Sequence, residues 1–134
     1  MTMGAWGYGN FENDDAMEWV ADLEGYSDDG MIIDTLNSII DQADDYPEAP
    51  DCAIAVAAAE TVAAQLGEPH EDCPEEINVW LEGRTAPSAS LIAKARQALE
   101  VILSDSELKD LWQESEEFDV WQSSLEDLLS RLPY

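Results

Sequence analysis

The sequence predicts an all-α protein, a single compact orthogonal bundle of about six or seven short helices, filling one domain over residues 1–134. Three observations predict it. Apolar residues recur at helical spacing in one segment after another, most of them opened by a capping residue or Pro, and several closed by Gly or Pro. No stretch alternates β-branched residues with a period of two. The 134 residues, 46% of them hydrophobic, are enough for one core and too apolar for an acidic disordered tail.

The first twelve residues, with Gly4-Ala5-Trp6-Gly7-Tyr8-Gly9-Asn10-Phe11, show no periodicity and read as an aromatic and glycine arm packing on the bundle. The order of these glycines is not that of a phosphate loop, and the acids that follow would repel a phosphate. Asn13 is the expected N-cap of a first helix, with Asp14 and Asp15 in its first turn and Ala16, Trp19, Val20 and Leu23 along one face. Ser27 is the expected cap of a second helix, whose stripe is Ile32, Ile33, Leu36, Ile39, Ile40 and Ala43. Pro50 and Asp51 open a third, Cys52 to Leu66, which is so rich in Ala that it should lie at the centre, with Glu60, Thr61 and Gln65 marking its wet side.

Pro74 suits the first turn of a short fourth helix with Ile77, Trp80 and Leu81 inward, closed by Gly83. Pro87 and Ser88 open the fifth, with Leu91, Ile92, Ala95, Ala98, Leu99 and Ile102 inward and Lys94, Arg96 and Gln97 outside. Ser106 caps the sixth, which carries Leu108, Leu111 and Trp112, and Val120, Trp121, Leu125, Leu128, Leu129 and Leu132 support a last helix that ends before Pro133. Cys52 and Cys73 have no CxxC or Cys/His spacing and read as two reduced thiols.

Charge is the most unusual property. The chain carries 31 Asp and Glu against five Lys and Arg, a formal charge of −26, and from Met1 to Gly83 every charged side chain is acidic. Direct binding to nucleic acid or to an anionic membrane needs basic residues that this half does not have. No stretch approaches the length of a membrane span, and the start lacks the basic and apolar regions of a signal peptide, so a cytoplasmic protein is expected. The acids expected to meet a partner are Glu12, Asp14, Asp15, Asp22, Asp28 and Asp29, with Asp41, Asp44 and Asp45.

The start GAWGYGNFENDDAMEWVADLE, the run AIAVAAAETVAAQLGEP, the Trp80 helix and the ending SELKDLWQESEEFDVWQSSLEDLLSRL resemble the bacterial family known as domain of unknown function 4259. The resemblance covers nearly the whole chain and implies a small, helical, cytoplasmic protein. It transfers no catalytic or binding residue. It does imply that the charge of Glu12 to Asp15 belongs to the family pattern and is not only an adaptation to salt.

Catalytic chemistry finds little support. His70 is the one histidine, no Glu-x-x-His occurs for a di-metal bundle, and Asp28-Asp29-Gly30 lacks the spacing of a calcium loop. A Cys73–His70 pair would sit among acids that disfavour a thiolate. No catalytic residue, metal or cofactor is expected, and a small-molecule ligand is not indicated. The reading is a non-catalytic binding protein, an inhibitor or immunity-type module for a basic protein partner. The alternatives are a housekeeping domain whose acidity serves solubility or salt tolerance, and a small metal-dependent enzyme.

Overall fold

Alanine sets the architecture. The computed structural model describes residues 10, 11, 13–26, 28–71 and 73–133, and the helices within them are α1 (Asp14–Leu23), α2 (Gly30–Asp41), α3 (Ala49–Gln65), α4 (Glu75–Leu81), α5 (Ala89–Ser104), α6 (Glu107–Gln113) and α7 (Phe118–Ser130). No strand occurs among the described residues. Along α3, Cys52, Ala53 and every residue from Ala55 to Ala63 are buried, and α1, α2, α4, α5, α6 and α7 all touch this one helix. Methyl side chains let six neighbours approach one axis closely, which a helix of leucines would forbid.

The larger residues come from the surrounding helices. Trp19, Val20 and Leu23 of α1, Ile32, Leu36 and Ile39 of α2, Leu99 and Ile102 of α5, and Leu125 and Leu128 of α7 are all buried in one cluster with the α3 alanines. Trp112 of α6 and Trp121 of α7 stack with ring centroids 6.4 Å apart and planes 12° apart, and Phe118 lies 5.8 Å from Trp121. Val120 was expected on this face but is 44% exposed, because the inward stripe of α7 runs through Trp121, Leu125 and Leu128.

Helix ends follow the expected chemistry at three sites. Asn13 Oδ1 accepts the Ala16 N–H at 2.7 Å, Ser88 Oγ the Leu91 N–H at 3.1 Å, and Ser106 Oγ the Lys109 N–H at 3.1 Å. The start of α2 differs: Asp28 Oδ1 accepts the Gly30 N–H at 3.0 Å and makes a side-chain turn that delays the helix to Gly30. The expected cap, Ser27, lies outside the described residues, as do residues 1–9 of the expected arm and the candidate Glu12. Pro74 is the N-cap of α4, one position earlier than expected. Glu107 joins two helix starts, since its Oε1 accepts the Ala49 N–H at 2.8 Å and its N–H donates to the Pro47 carbonyl at 3.0 Å.

Polar contacts fix the helix pairs. The Trp19 indole N–H donates to Thr35 Oγ1 at 2.9 Å between α1 and α2, and Lys94 Nζ donates to Asn37 Oδ1 at 3.0 Å between α5 and α2. The Trp80 indole N–H donates to the Tyr26 carbonyl at 2.8 Å and so ties α4 to the turn between α1 and α2.

Candidate functional site

The candidate acids sit on two helices and the turn that joins them. Asp14 and Asp15 occupy the first turn of α1, and Asp22 lies near its end. Asp28 and Asp29 precede α2, Asp41 is its last residue, and Asp44 and Asp45 follow it. Asp14, Asp22, Asp28, Asp41, Asp44 and Asp45 are exposed, while Asp15 and Asp29 are half-buried. The twelve residues of α2 span about 18 Å, so Asp28 and Asp29 are separated from Asp41, Asp44 and Asp45 by about two Debye lengths at physiological salt. The structure therefore places Asp28 and Asp29 at one end of α2 and Asp41, Asp44 and Asp45 at the other, with Asp14, Asp15 and Asp22 on α1.

The five cations are all engaged within the protein. Arg84 stacks over the Trp80 ring at 3.4 Å, donates to the Trp80 carbonyl at 2.8 Å and lies 3.9 Å from Asp29 Oδ1. Lys94 holds Asn37, and Lys109 Nζ donates to the Ser104 carbonyl at 3.2 Å. Arg96 donates to the Leu129 carbonyl at 2.7 Å and to the Leu132 carbonyl, tying α5 to the end of α7. Arg131 pairs with Glu60 and Asp127.

Glu60 is the principal correction to the sequence reading. The sequence placed it and Thr61 on the wet side of α3, yet both are fully buried. Thr61 Oγ1 donates to the Ala57 carbonyl at 2.9 Å, which satisfies its hydroxyl within the helix. Glu60 is satisfied from a distance: Arg131 Nη1 and Nη2 donate to its two oxygens at 2.8 and 2.9 Å, and Asn10 Nδ2 donates to Oε2 at 2.6 Å. Arg131 also donates from Nε to Asp127 Oδ2 at 3.0 Å and from Nη1 to the Glu68 carbonyl at 3.1 Å, and Ser124 Oγ donates to Asn10 Oδ1 at 3.3 Å. Burial works against the Arg131 charge, but the hydrogen bonds and charges of Glu60 and Asp127 outweigh it and hold the guanidinium above its ordinary pKa. The Arg131 contribution is thus present below the unfolded value and lost only above the raised one, outside the physiological range.

Beside this cluster a surface cavity of about 400 Å³ is lined by Leu66, Glu68, Ser130, Arg131 and Pro133. A second concavity, about 510 Å³, is lined by Tyr46, Glu107, Asp110, Leu111, Gln113 and Glu114. There Tyr46 adopts a left-handed φ of 55° and donates its hydroxyl to Asp110 Oδ2 at 2.5 Å. That bond is the main reason its phenol is pushed up to about 12.

A family model, Domain of unknown function (DUF4259), matches residues 4–124. The chain belongs to the DUF4259 family. Neither the curated proteins nor the solved structures provide a match. The matched span of this DUF4259 domain holds all the candidate acids together with Asn10, Glu60 and Ser124, while Arg131 lies beyond it.

The two thiols of this DUF4259 domain are free. Burial pushes Cys52 up to about 12, and burial with the charge of Glu60 pushes Cys73 up to about 11 against the opposing effect of Arg131. Both thiols are therefore protonated and unreactive near neutral pH. Iodoacetamide at about pH 8 is expected to label Cys73 at least tenfold more slowly than free cysteine and Cys52 only on unfolding; mass spectrometry of the labelled peptides checks this, and fast labelling of Cys52 in the folded protein would contradict it. Among the described residues no three His, Cys, Asp or Glu side chains are grouped to hold a metal ion. No helix among them is long and apolar enough to cross a membrane.

Proposed function

We propose that this protein is a non-catalytic, cytoplasmic binding module whose acidic surface on α1, the α1–α2 turn and α2 meets a basic protein partner. The observation that carries this reading is the engagement of all five cations within the fold, while Asp14, Asp22, Asp28, Asp41, Asp44 and Asp45 present their charge to solvent. Carboxylates at the two ends of α2, about 18 Å apart along its axis, can stand in for phosphates in the cationic groove of a nuclease or other nucleic-acid-binding protein. Such a module acts by occupying the groove, and its charge accelerates encounter.

A second reading, a housekeeping domain kept soluble by its charge, is favoured by one observation: exposed acids also cover the later helices, among them Glu75, Glu76, Glu100, Glu114, Glu117 and Glu126. The discriminating experiment is a pull-down from cell lysate with the intact protein at about 0.1 M and about 1 M salt, where the Debye length falls from ~10 to ~3 Å. One basic protein held stoichiometrically at low salt and released at high salt is the expected result. For that protein, reversing Asp41, Asp44 and Asp45, or Asp14, Asp15 and Asp22, to Lys should weaken binding about tenfold or more. Empty lanes at both salts, or a Kd unchanged by salt, would leave solubility as the account of the charge.

A further inference from the structure

Large apolar side chains that meet water are few. Among the described residues they are Tyr26, Tyr46, Val79 and Val120, and two of them stand at one place. The Trp80 indole N–H donates to the Tyr26 carbonyl, so the turn after α1 lies against α4, where Val79 precedes Trp80. Tyr26 is 52% exposed and Val79 57%, beside a half-buried indole whose ring carries the Arg84 guanidinium at 3.4 Å. The core does not use Val79. Ile77 is the buried residue of α4, and Val79, two residues later and so about 200° round the helix, faces water.

Acids ring these residues. Glu75 and Glu76 stand one helical turn before Val79, and Glu24 and Asp28 lie two residues to either side of Tyr26, all four exposed. The nearby cation, Arg84, is engaged with Trp80 and Asp29, so the rim presents negative charge. Tyr, Trp and an apolar neighbour inside a polar rim have the composition of a protein-binding hot spot. The sign of the rim selects the occupant. A second copy of this chain would bring the same acids to the same place and be repelled, whereas a basic surface would be attracted.

We propose that Tyr26, Val79 and Trp80 are the docking centre for a basic protein that presents an apolar side chain ringed by Lys and Arg. This rests on the acidic-surface reading above and adds the part of the contact that holds the partner once charge has brought it in. The two parts are continuous, because Asp28 belongs to the acidic surface and to this rim. Carboxylates farther along α2 steer the encounter, and burial of the Tyr26 and Val79 side chains slows its reversal.

The test is an NMR titration of the intact protein, at about 0.1 M salt, with two helical peptides of about 18 residues that carry the same lysines on one face. The opposite face is leucine in one peptide and alanine in the other. The leucine peptide is expected to bind about tenfold more tightly and to shift the Trp80 indole N–H and the Tyr26 and Val79 amides, with Tyr46 and Val120 as references. Tyr26→Ala with Val79→Ser should abolish the difference between the peptides. This pair changes only exposed side chains and keeps the Tyr26 carbonyl that holds Trp80, and Val120→Ser on α7 should leave the difference intact. Equal affinities for the two peptides, largest shifts at Tyr46 or Val120, or a difference that survives in the paired variant would overturn the docking centre and leave the acidic-surface reading standing. A Val79 amide that moves with protein concentration alone would make a second copy the occupant and overturn the basic one. Failure of both peptides to bind would remove the acidic-surface reading and the docking centre with it.

Discussion

Arg131→Ala is expected to destabilise the protein by about 3–5 kcal/mol, the cost of leaving a buried carboxylate without its cation. The guanidinium is 13% exposed and its partner Glu60 not at all, so water cannot take over the two bonds that the fork supplies. Asp127→Ala provides the contrast. It removes a partner of the same arginine, but that carboxylate is 63% exposed, and the loss should be about 0–1 kcal/mol. Arg131→Lys should fall between the two, because it keeps the charge and gives up the bidentate geometry. Urea unfolding at about pH 7 measures all three. Equal losses for Arg131→Ala and Asp127→Ala would mean that the Glu60 pair is solvated and worth little.

The second large effect is expected at Trp121. Trp121→Ala should cost about 3–5 kcal/mol, since the residue is 3% exposed and its indole is held between Trp112, 6.4 Å away and nearly parallel, and Phe118 at 5.8 Å. For a chain of this size that corresponds to a fall in Tm of about 10 °C or more. Trp121→Phe should recover part of it by refilling the space. The near-ultraviolet circular dichroism of a stacked indole pair should disappear in both variants, and a melt that stays within ~3 °C of the unaltered protein would refute the packing argument.

Helix positions were readable because they depend on neighbours in the chain. Asn13, Ser88 and Ser106 are caps by virtue of the three residues after them, and each makes the side-chain bond that its position implies. The central place of α3 was readable for a related reason, as a helix apolar on all sides has no other stable location. Glu60 was not readable. Within AAAETVAA a single glutamate marks the polar face, and what overrides that rule stands fifty residues before it and 71 after it. The same applies to Glu107, whose bonds to Ala49 and Pro47 join helix starts far apart in sequence. The acids were legible as composition, but the separation of Asp28 and Asp29 from Asp41, Asp44 and Asp45 follows from the length of α2 and from where its first turn begins.

The order in which the helices are made gives the Ala-rich axis a further significance. A ribosome delivers α1, α2 and α3 before any of the four helices that cover the remaining sides of α3. For that interval an apolar helix is partly bare, the condition under which nascent chains associate with one another. The same stretch of chain, Met1 to Gly83, contains 21 acids and no Lys or Arg, so two half-made copies repel each other while α5, α6 and α7 are still being synthesised. The charge of this half of the chain thus also guards the α3 surface during the protein's own biosynthesis.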